Sequence, residues 1–263
     1  MSAGSADNVA RSVWNAGELT EGNDVVATET PVAMVYNGIS HVVMMATPAD
    51  LQDFALGFSL SEGILTSPKQ LLDCEELVTD NGIELALSIT AEPFAALKER
   101  RRNLVGRTGC GLCGAESLAQ AITTPNNISA QLTTSHVALQ QAVAALAGVQ
   151  RLQQQTGAVH GAAWCNTAGE ILLVREDVGR HNALDKLLGA ISQQPSDEGF
   201  VLVTSRASYE MVAKTASANI PLLAAVSAPT SLAVELAETA GLTLVGFSRA
   251  GRHVVYAHGQ RIN

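Results

Sequence analysis

Charge is scarce in this chain of 263 residues: only 16% are Asp, Glu, Lys or Arg, against roughly 25% in an ordinary globular chain. Lysine is scarcer still. It occurs only at Lys69, Lys98, Lys186 and Lys214, so 12 of the 16 basic residues are arginine. A formal net charge of −9 excludes a basic surface that holds nucleic acid nonspecifically. Four cysteines are too few for a disulfide framework at this length and predict a reducing, cytoplasmic setting. No apolar run reaches the ~18 residues of a membrane span, and no apolar stretch follows a basic segment near the start. What remains is a chain that is 47% hydrophobic and rich in Ala and Leu, which predicts α/β packing around a sizeable core.

Residues 1–24 are small, polar and without pattern, and read as a disordered tail. Residues 25–120 read as a smaller α+β domain. Within it Val32, Met34 and Tyr36 alternate up to Asn37–Gly38, a dipeptide suited to a type I′ hairpin turn. Thr47–Pro48–Ala49–Asp50 reads as an N-cap followed by an acidic first turn, leading a helix with Leu51, Phe54, Ala55 and Phe58 on one face. A strand at 83–89 and a helix at 92–102 follow. The polar, turn-prone stretch 121–134 reads as a linker.

From 135 to 263 strands alternate with helices. Ser135 caps a long helix that stops at Gly157, and strands are expected at 159–165, 171–176, 200–204, 222–226, 242–247 and 253–257. The helices between them begin near 179, 208 and 231. Such alternation predicts a mainly parallel sheet covered on both faces. Ligands of such sheets gather at the carboxyl ends of the strands. Three of those loops hold arginine: Arg180 with His181 after 171–176, Arg206 after 200–204, and Arg249 with Arg252 after 242–247. Guanidinium groups beside helix N-termini suit a phosphate-bearing ligand. The competing reading of Phe247–Ser248–Arg249–Ala250–Gly251–Arg252 is a tight hairpin with solvated arginines. His160, at a strand start, is by type more often structural than catalytic.

Thr108–Gly109–Cys110–Gly111–Leu112–Cys113–Gly114 places two thiols three residues apart among glycines. Such a pair is half a metal site, a redox dithiol or a sulfur-carrying nucleophile. Zinc needs two further ligands at ligand spacing, and Cys74 and Cys165 stand alone. A zinc deaminase needs His-x-Glu before its cysteines, whereas here the cysteines come first and His160 is followed by Gly161–Ala162. Arginines at 100, 101, 102 and 107 lower a neighbouring thiol's pKa, and the glycines leave the sulfur open. This favours the sulfur carrier.

Taken together, TGCGLCG (108–114), EDVGRHNALDK (176–186), APTSLA (228–233) and GFSRAGR (246–252) resemble the formate dehydrogenase accessory sulfurtransferases of the FdhD type. The matches run from about residue 28 to 257. The resemblance implies that a cysteine desulfurase loads sulfur onto Cys110 as a persulfide, with Cys113 assisting or resolving it. It implies transfer of that sulfur to a molybdenum bis(molybdopterin guanine dinucleotide) cofactor, bound as substrate, which activates formate dehydrogenase. Phe247 to Arg252 would hold the guanine dinucleotide, with Arg180, His181 and Arg206 as further candidates. It also implies a cytidine-deaminase-like C-terminal domain without zinc, and a homodimer, with neither nucleic acid nor membrane as partner. TGAVHGAA (156–163) and Thr204–Ser205–Arg206 depart from the family pattern. The rival readings are a nucleotide-binding dithiol oxidoreductase and a cofactor-binding chaperone that transfers no sulfur.

Overall fold

The computed structural model describes residues 4–105, 127–194 and 198–263. Cys110, Cys113 and residues 121–126 of the expected linker lie outside them. The expected disordered tail is corrected: β1 (Ala6–Asn15) and β2 (Glu18–Ala27) form an antiparallel ribbon. Ala16 and Gly17 turn it with positive φ, and Arg11–Asp24 and Ser12–Glu21 tie the strands across. The missed signal is the alternation of Val9 and Val13 ahead of a glycine turn.

β3 (Thr30–Tyr36) and β4 (Ile39–Ala46) form the expected hairpin, with Asn37 and Gly38 both at positive φ. Asn37 serves a second purpose, since its amide accepts from Ile89 N–H and donates to Ile89 C=O. α1 (Leu51–Ser61) covers the sheet that these strands form with β5 (Leu71–Thr79) and β6 (Gly82–Ile89), in the order β4-β3-β6-β5. Val32, Met34 and Tyr36 meet Phe54, Ala55 and Phe58 in its core. α2 (Ala91–Val105) follows. Thr47 does not cap α1. The residue before that helix is Asp50, in a left-handed conformation with no side-chain cap.

Past residue 127, α3 (His136–Val149) is capped by Ser135, whose hydroxyl accepts from Ala138 N–H. The single long helix expected there is broken at Gln150, after which α4 (Arg151–Thr156) runs to a left-handed Gly157. β7 (His160–Asn166), β8 (Ile171–Asp177), α5 (Arg180–Ser192), β9 (Gly199–Val203), α6 (Tyr209–Ser217), β10 (Leu222–Ala225), α7 (Ser231–Ala240), β11 (Thr243–Arg249) and β12 (Arg252–Ala257) complete the chain.

The sheet order is β12-β11-β10-β9-β7-β8. Only β9-β10 and β10-β11 pair in parallel, whereas β11-β12, β7-β9 and β7-β8 are antiparallel. The sheet is therefore mixed rather than mainly parallel, because the connections at 167–170 and 250–251, four and two residues long, are too short for a parallel crossover. Both faces are covered. Val201 and Val203 face α5, α6 and α7, while Phe200 and Leu202 face α3. Among the described residues no helix is long and apolar enough to cross a membrane.

The two sheets join through α1 against α5. Gly57 and Gly189 face the opposite helix so closely that a Cβ on either would collide with the backbone of Asp185 or Asp53. Beside this seam two buried lysines of the C-terminal half reach the junction. Lys186 Nζ lies 2.7 Å from Asp177 and donates to Thr47 C=O, both charged side chains being fully buried. Asp177 also accepts from Thr47 N–H, Gly179 N–H and the Asn182 amide. Lys214 bridges Asp185 and Glu62, with Ser61 donating to Asp185. Removing one partner of a buried pair leaves the other charge stranded. Lys186→Met is therefore expected to lower the unfolding free energy by about 3–5 kcal/mol in urea titration, with Asp177→Asn in the same background restoring part of the loss.

Candidate anion site at the carboxyl edge of the sheet

β8 and β9 are both antiparallel to β7, so β8, β9, β10 and β11 run in one direction and end at one edge. The starts of β7 and β12 lie there too. α5, α6 and α7 begin at that edge, and their N-termini carry partial positive charge. α7 is closed conventionally, because Thr230 Oγ1 accepts from Ala233 N–H. α5 and α6 are not: Gly179 has no side chain to offer, and Ser208 makes no capping bond. Ser208 Oγ is buried without a hydrogen-bond partner.

Arg180 and His181 open α5. Arg180 Nε is buried without a partner, and its Nη2 stands 3.9 Å from Glu210. His181 Nε2 lies 2.6 Å from Glu210 Oε2. Burial holds His181 below its ordinary 6.5; Glu210 opposes the shift and Arg180 adds to it. Burial, aided by Arg180, lowers His160 as well. Both imidazoles are thus neutral at pH 7.

Phe247–Arg252 forms the hairpin turn between β11 and β12. Arg249 and Arg252 pair directly across it, both exposed, with no carboxylate partner among the described residues. Like charges at a cross-strand position destabilise a sheet unless an anion lies between them. Each guanidinium carbon is 5.9 Å from the Phe247 ring centroid. Phe247 has φ +50°, a strained value for a bulky residue, and its N–H donates to Ser227 C=O. Ser248 is fully buried and its hydroxyl has no partner. Gln140 of α3 accepts from Gly251 N–H at 2.7 Å, pinning the turn.

The structure places Arg180, His181, Arg206 and Phe247–Arg252 on this one edge but does not gather them into one pocket. Four strand spacings separate β8 from β11, about 19 Å at ~4.8 Å each. Arg206 lies between, exposed and without an ion-pair partner among the described residues. Other residues of the 176–186 motif turn out to be architectural: Asp177, Asn182, Asp185 and Lys186 make the junction. Sequence reading missed Ser208 and Gln140 as parts of the edge. Ser208 was legible as a helix start, but that its hydroxyl goes unused was not.

Burial disfavours the thiolate at both described cysteines. Burial pushes the Cys74 thiol up to about 11, with Glu76 and Asp73 adding to it, and burial pushes Cys165 up to about 12.

The residues from 27 to 263 match the model of the FdhD/NarQ family. The chain belongs to that family. It is 58% identical to the sulfur carrier protein FdhD of Cupriavidus necator, over 95% of this chain and 88% of that one. To its namesake in Variovorax paradoxus it is 55% identical, over 92% and 88%. It also resembles the crystal structure of a protein described as a formate dehydrogenase accessory protein from Desulfotalea psychrophila. That likeness has a TM-score of 0.75 at 27% identity and covers 98% of this chain and 99% of the other. The family match spans the whole edge.

Two outcomes follow from the geometry. An Arg249→Ser/Arg252→Ser double variant relieves like-charge repulsion, so its melting temperature is expected to hold or rise while its affinity for pyrophosphate, measured by calorimetry, falls at least tenfold. An anion held at the start of α5 favours imidazolium at His181, so binding there takes up a proton. The affinity of a dinucleotide long enough to span the edge, measured by calorimetry, is therefore expected to increase as pH falls from about 8 to about 6, and His181→Asn to flatten that slope.

Proposed function

We propose that the chain carries sulfur in formate dehydrogenase maturation, accepting it from a cysteine desulfurase and passing it to the molybdenum bis(molybdopterin guanine dinucleotide) cofactor as substrate. The observation that carries this reading is the carboxyl edge itself: two helix starts without side-chain caps, and, among the described residues, two opposed arginines without carboxylates and buried donors without partners. Such a surface suits the phosphates of an extended dinucleotide. Its ~19 Å reach fits a long ligand better than a mononucleotide. The family relatives named as sulfur carriers support the transfer chemistry. The shifted pKa values of Cys74 and Cys165 leave that chemistry to the pair at 110 and 113.

In the proposed sequence Cys110 thiolate attacks the outer sulfur of the desulfurase persulfide. A new S–S bond forms on Cys110 and the desulfurase cysteine leaves as thiolate. Cys113 thiolate then attacks Cys110 Sγ, and the outer sulfur departs as hydrosulfide toward the bound metal. The two electrons that reduce that sulfur come from the two thiolates, which end as a disulfide. A dithiol reductant reopens it. A homodimer, a cytoplasmic setting and a cytidine-deaminase-like fold for the C-terminal half belong to the same reading. The fold part is supported by a sheet joining an antiparallel hairpin to parallel strands, with helices on both faces.

The test is intact-mass spectrometry after incubation with a cysteine desulfurase and cysteine, paired with activation of formate dehydrogenase. The wild-type chain is expected to gain the mass of one sulfur, reversibly on reduction. Cys110→Ala is expected to lose both adduct and activation, and Cys113→Ser to keep the adduct while activating slowly. Activation by Cys110→Ser at the wild-type level would instead make the chain a chaperone, and equal loss from either cysteine without any adduct would make it a dithiol oxidoreductase.

A further inference from the structure

The hairpin turn that carries Arg249 and Arg252 is weakly held by its own strands. The β11–β12 ladder shifts register between Gly246 and Arg249, and the two arginines oppose each other across it. Gln140 reaches the turn from α3, its Oε1 accepting from Gly251 N–H at 2.7 Å.

Behind Gln140 stands a pair of histidines. His253 Nδ1 is 2.9 Å from Gln140 Nε2, and His253 Nε2 is 2.8 Å from Nδ1 of His136, the first residue of α3. The end of this chain of bonds fixes every proton in it. A backbone N–H donates and never accepts, so the Gln140 atom facing Gly251 is oxygen and the one facing His253 is the amide nitrogen. His253 Nδ1 therefore accepts, its proton sits on Nε2, and His136 Nδ1 accepts that proton in turn. All four residues are satisfied together while both imidazoles are neutral.

A third ring proton has no place in this arrangement. On His253 Nδ1 it faces the Gln140 amide protons, and turning the amide over to accept it sets those protons against Gly251 N–H. On His136 Nδ1 it meets the proton of His253 Nε2 donor to donor. If the His253 proton moves to Nδ1 to make room, Gln140 is confronted as before.

Burial holds His253 below its ordinary 6.5, and charge on His136 lowers it further. Around the pair, α3 carries no titratable side chain besides His136, and Arg249 and Arg252 stand in the turn itself. Asn263 accepts from His136 N–H, Arg261 donates to Gly241 C=O and Thr243, and Glu170 is bonded to Asn166. A histidine depressed in the folded chain stabilises it above the unfolded value, and that contribution is lost as pH falls. The chain of bonds is therefore closed at neutral pH and opens below about pH 6.

We propose that Gln140 is the positioning residue of the arginine turn and that the His136–His253 pair releases it on protonation, so that this end of the edge is set at neutral pH and freed in acid. The proposal rests on the reading of the edge as an anion site and adds its regulation. Its sign is opposite to that expected of His181, at the far end of the edge.

Hydrogen exchange at the Gly251 amide of the full chain, expressed as protection relative to the intrinsic rate at each pH, tests the release without a ligand. Wild-type protection is expected to fall about fivefold between about pH 7.5 and about pH 5.5, the worth of one hydrogen bond. Gln140→Leu is expected to be poorly protected at both. His253→Asn, whose Oδ1 stands in for Nδ1 and takes no proton, is expected to stay protected at both. Inorganic sulfate keeps its charge across this range and reports the consequence through the Arg252 amide resonance. Its affinity is expected to weaken about threefold in acid for the wild type and to stay level in His253→Asn. Gly251 protection that ignores pH, or that still falls in His253→Asn, overturns the proposal. So does sulfate affinity that rises in acid and levels in His253→Asn, because the histidines would then serve the anion as cations. A turn blind to sulfate, with Gly251 protection still governed by His253, overturns the anion edge and supports the release on its own.

Discussion

One buried carboxylate organises both halves of this chain. Asp177 takes four donors from three places: the backbone of Thr47 in the N-terminal half, the backbone and amide that open α5, and the ammonium of Lys186 two turns on. Its two oxygens each accept from two of these donors, so burial leaves no lone-pair direction without a partner. Its position at the end of β8 sets where α5 begins. That in turn holds Arg180 and His181 at the rim.

The rim follows from strand direction. With β8, β9, β10 and β11 ending together, the loops after them carry arginine or unused hydroxyl groups to a single line rather than a single point. A compact pocket would favour a compact anion. A line about 19 Å long, with an arginine pair at one end and helix starts at the other, favours a ligand with charge distributed along its length. The strain at Phe247, whose backbone is left-handed between the two arginines, fits a site where local stability has been exchanged for placement.

Much of the architecture was legible from residue pattern. Asn37–Gly38, the alternation through Tyr36, Ser135 before α3 and Gly157 after α4 each name a backbone conformation that few other residues accept. β9 reads as an uninterrupted apolar run because both its faces are covered. The readings that failed share a cause. Thr47 is a good capping residue by type, yet its backbone and hydroxyl serve Asp177 and Val178, more than a hundred residues away. The ribbon at 6–27 depends on cross-strand pairs that a polar composition conceals. Gln150 sits in a helical run, and its break comes from packing against Gly161, not from its own propensity.

From residue 30 on, the residue order alone settled most of the local vocabulary: which segments extend, which coil, where the chain turns, and that arginines rather than lysines stand after the strands. These depend on sterics and periodicity within a dozen residues. Only the tertiary structure decided that β7 runs against its neighbours, that Asp177 and Lys186 are buried together, and that Gln150, Ser208 and Ser248 are left with unspent hydrogen bonds. Those outcomes are set by contacts between residues far apart in the chain, whose burial and direction no local pattern encodes.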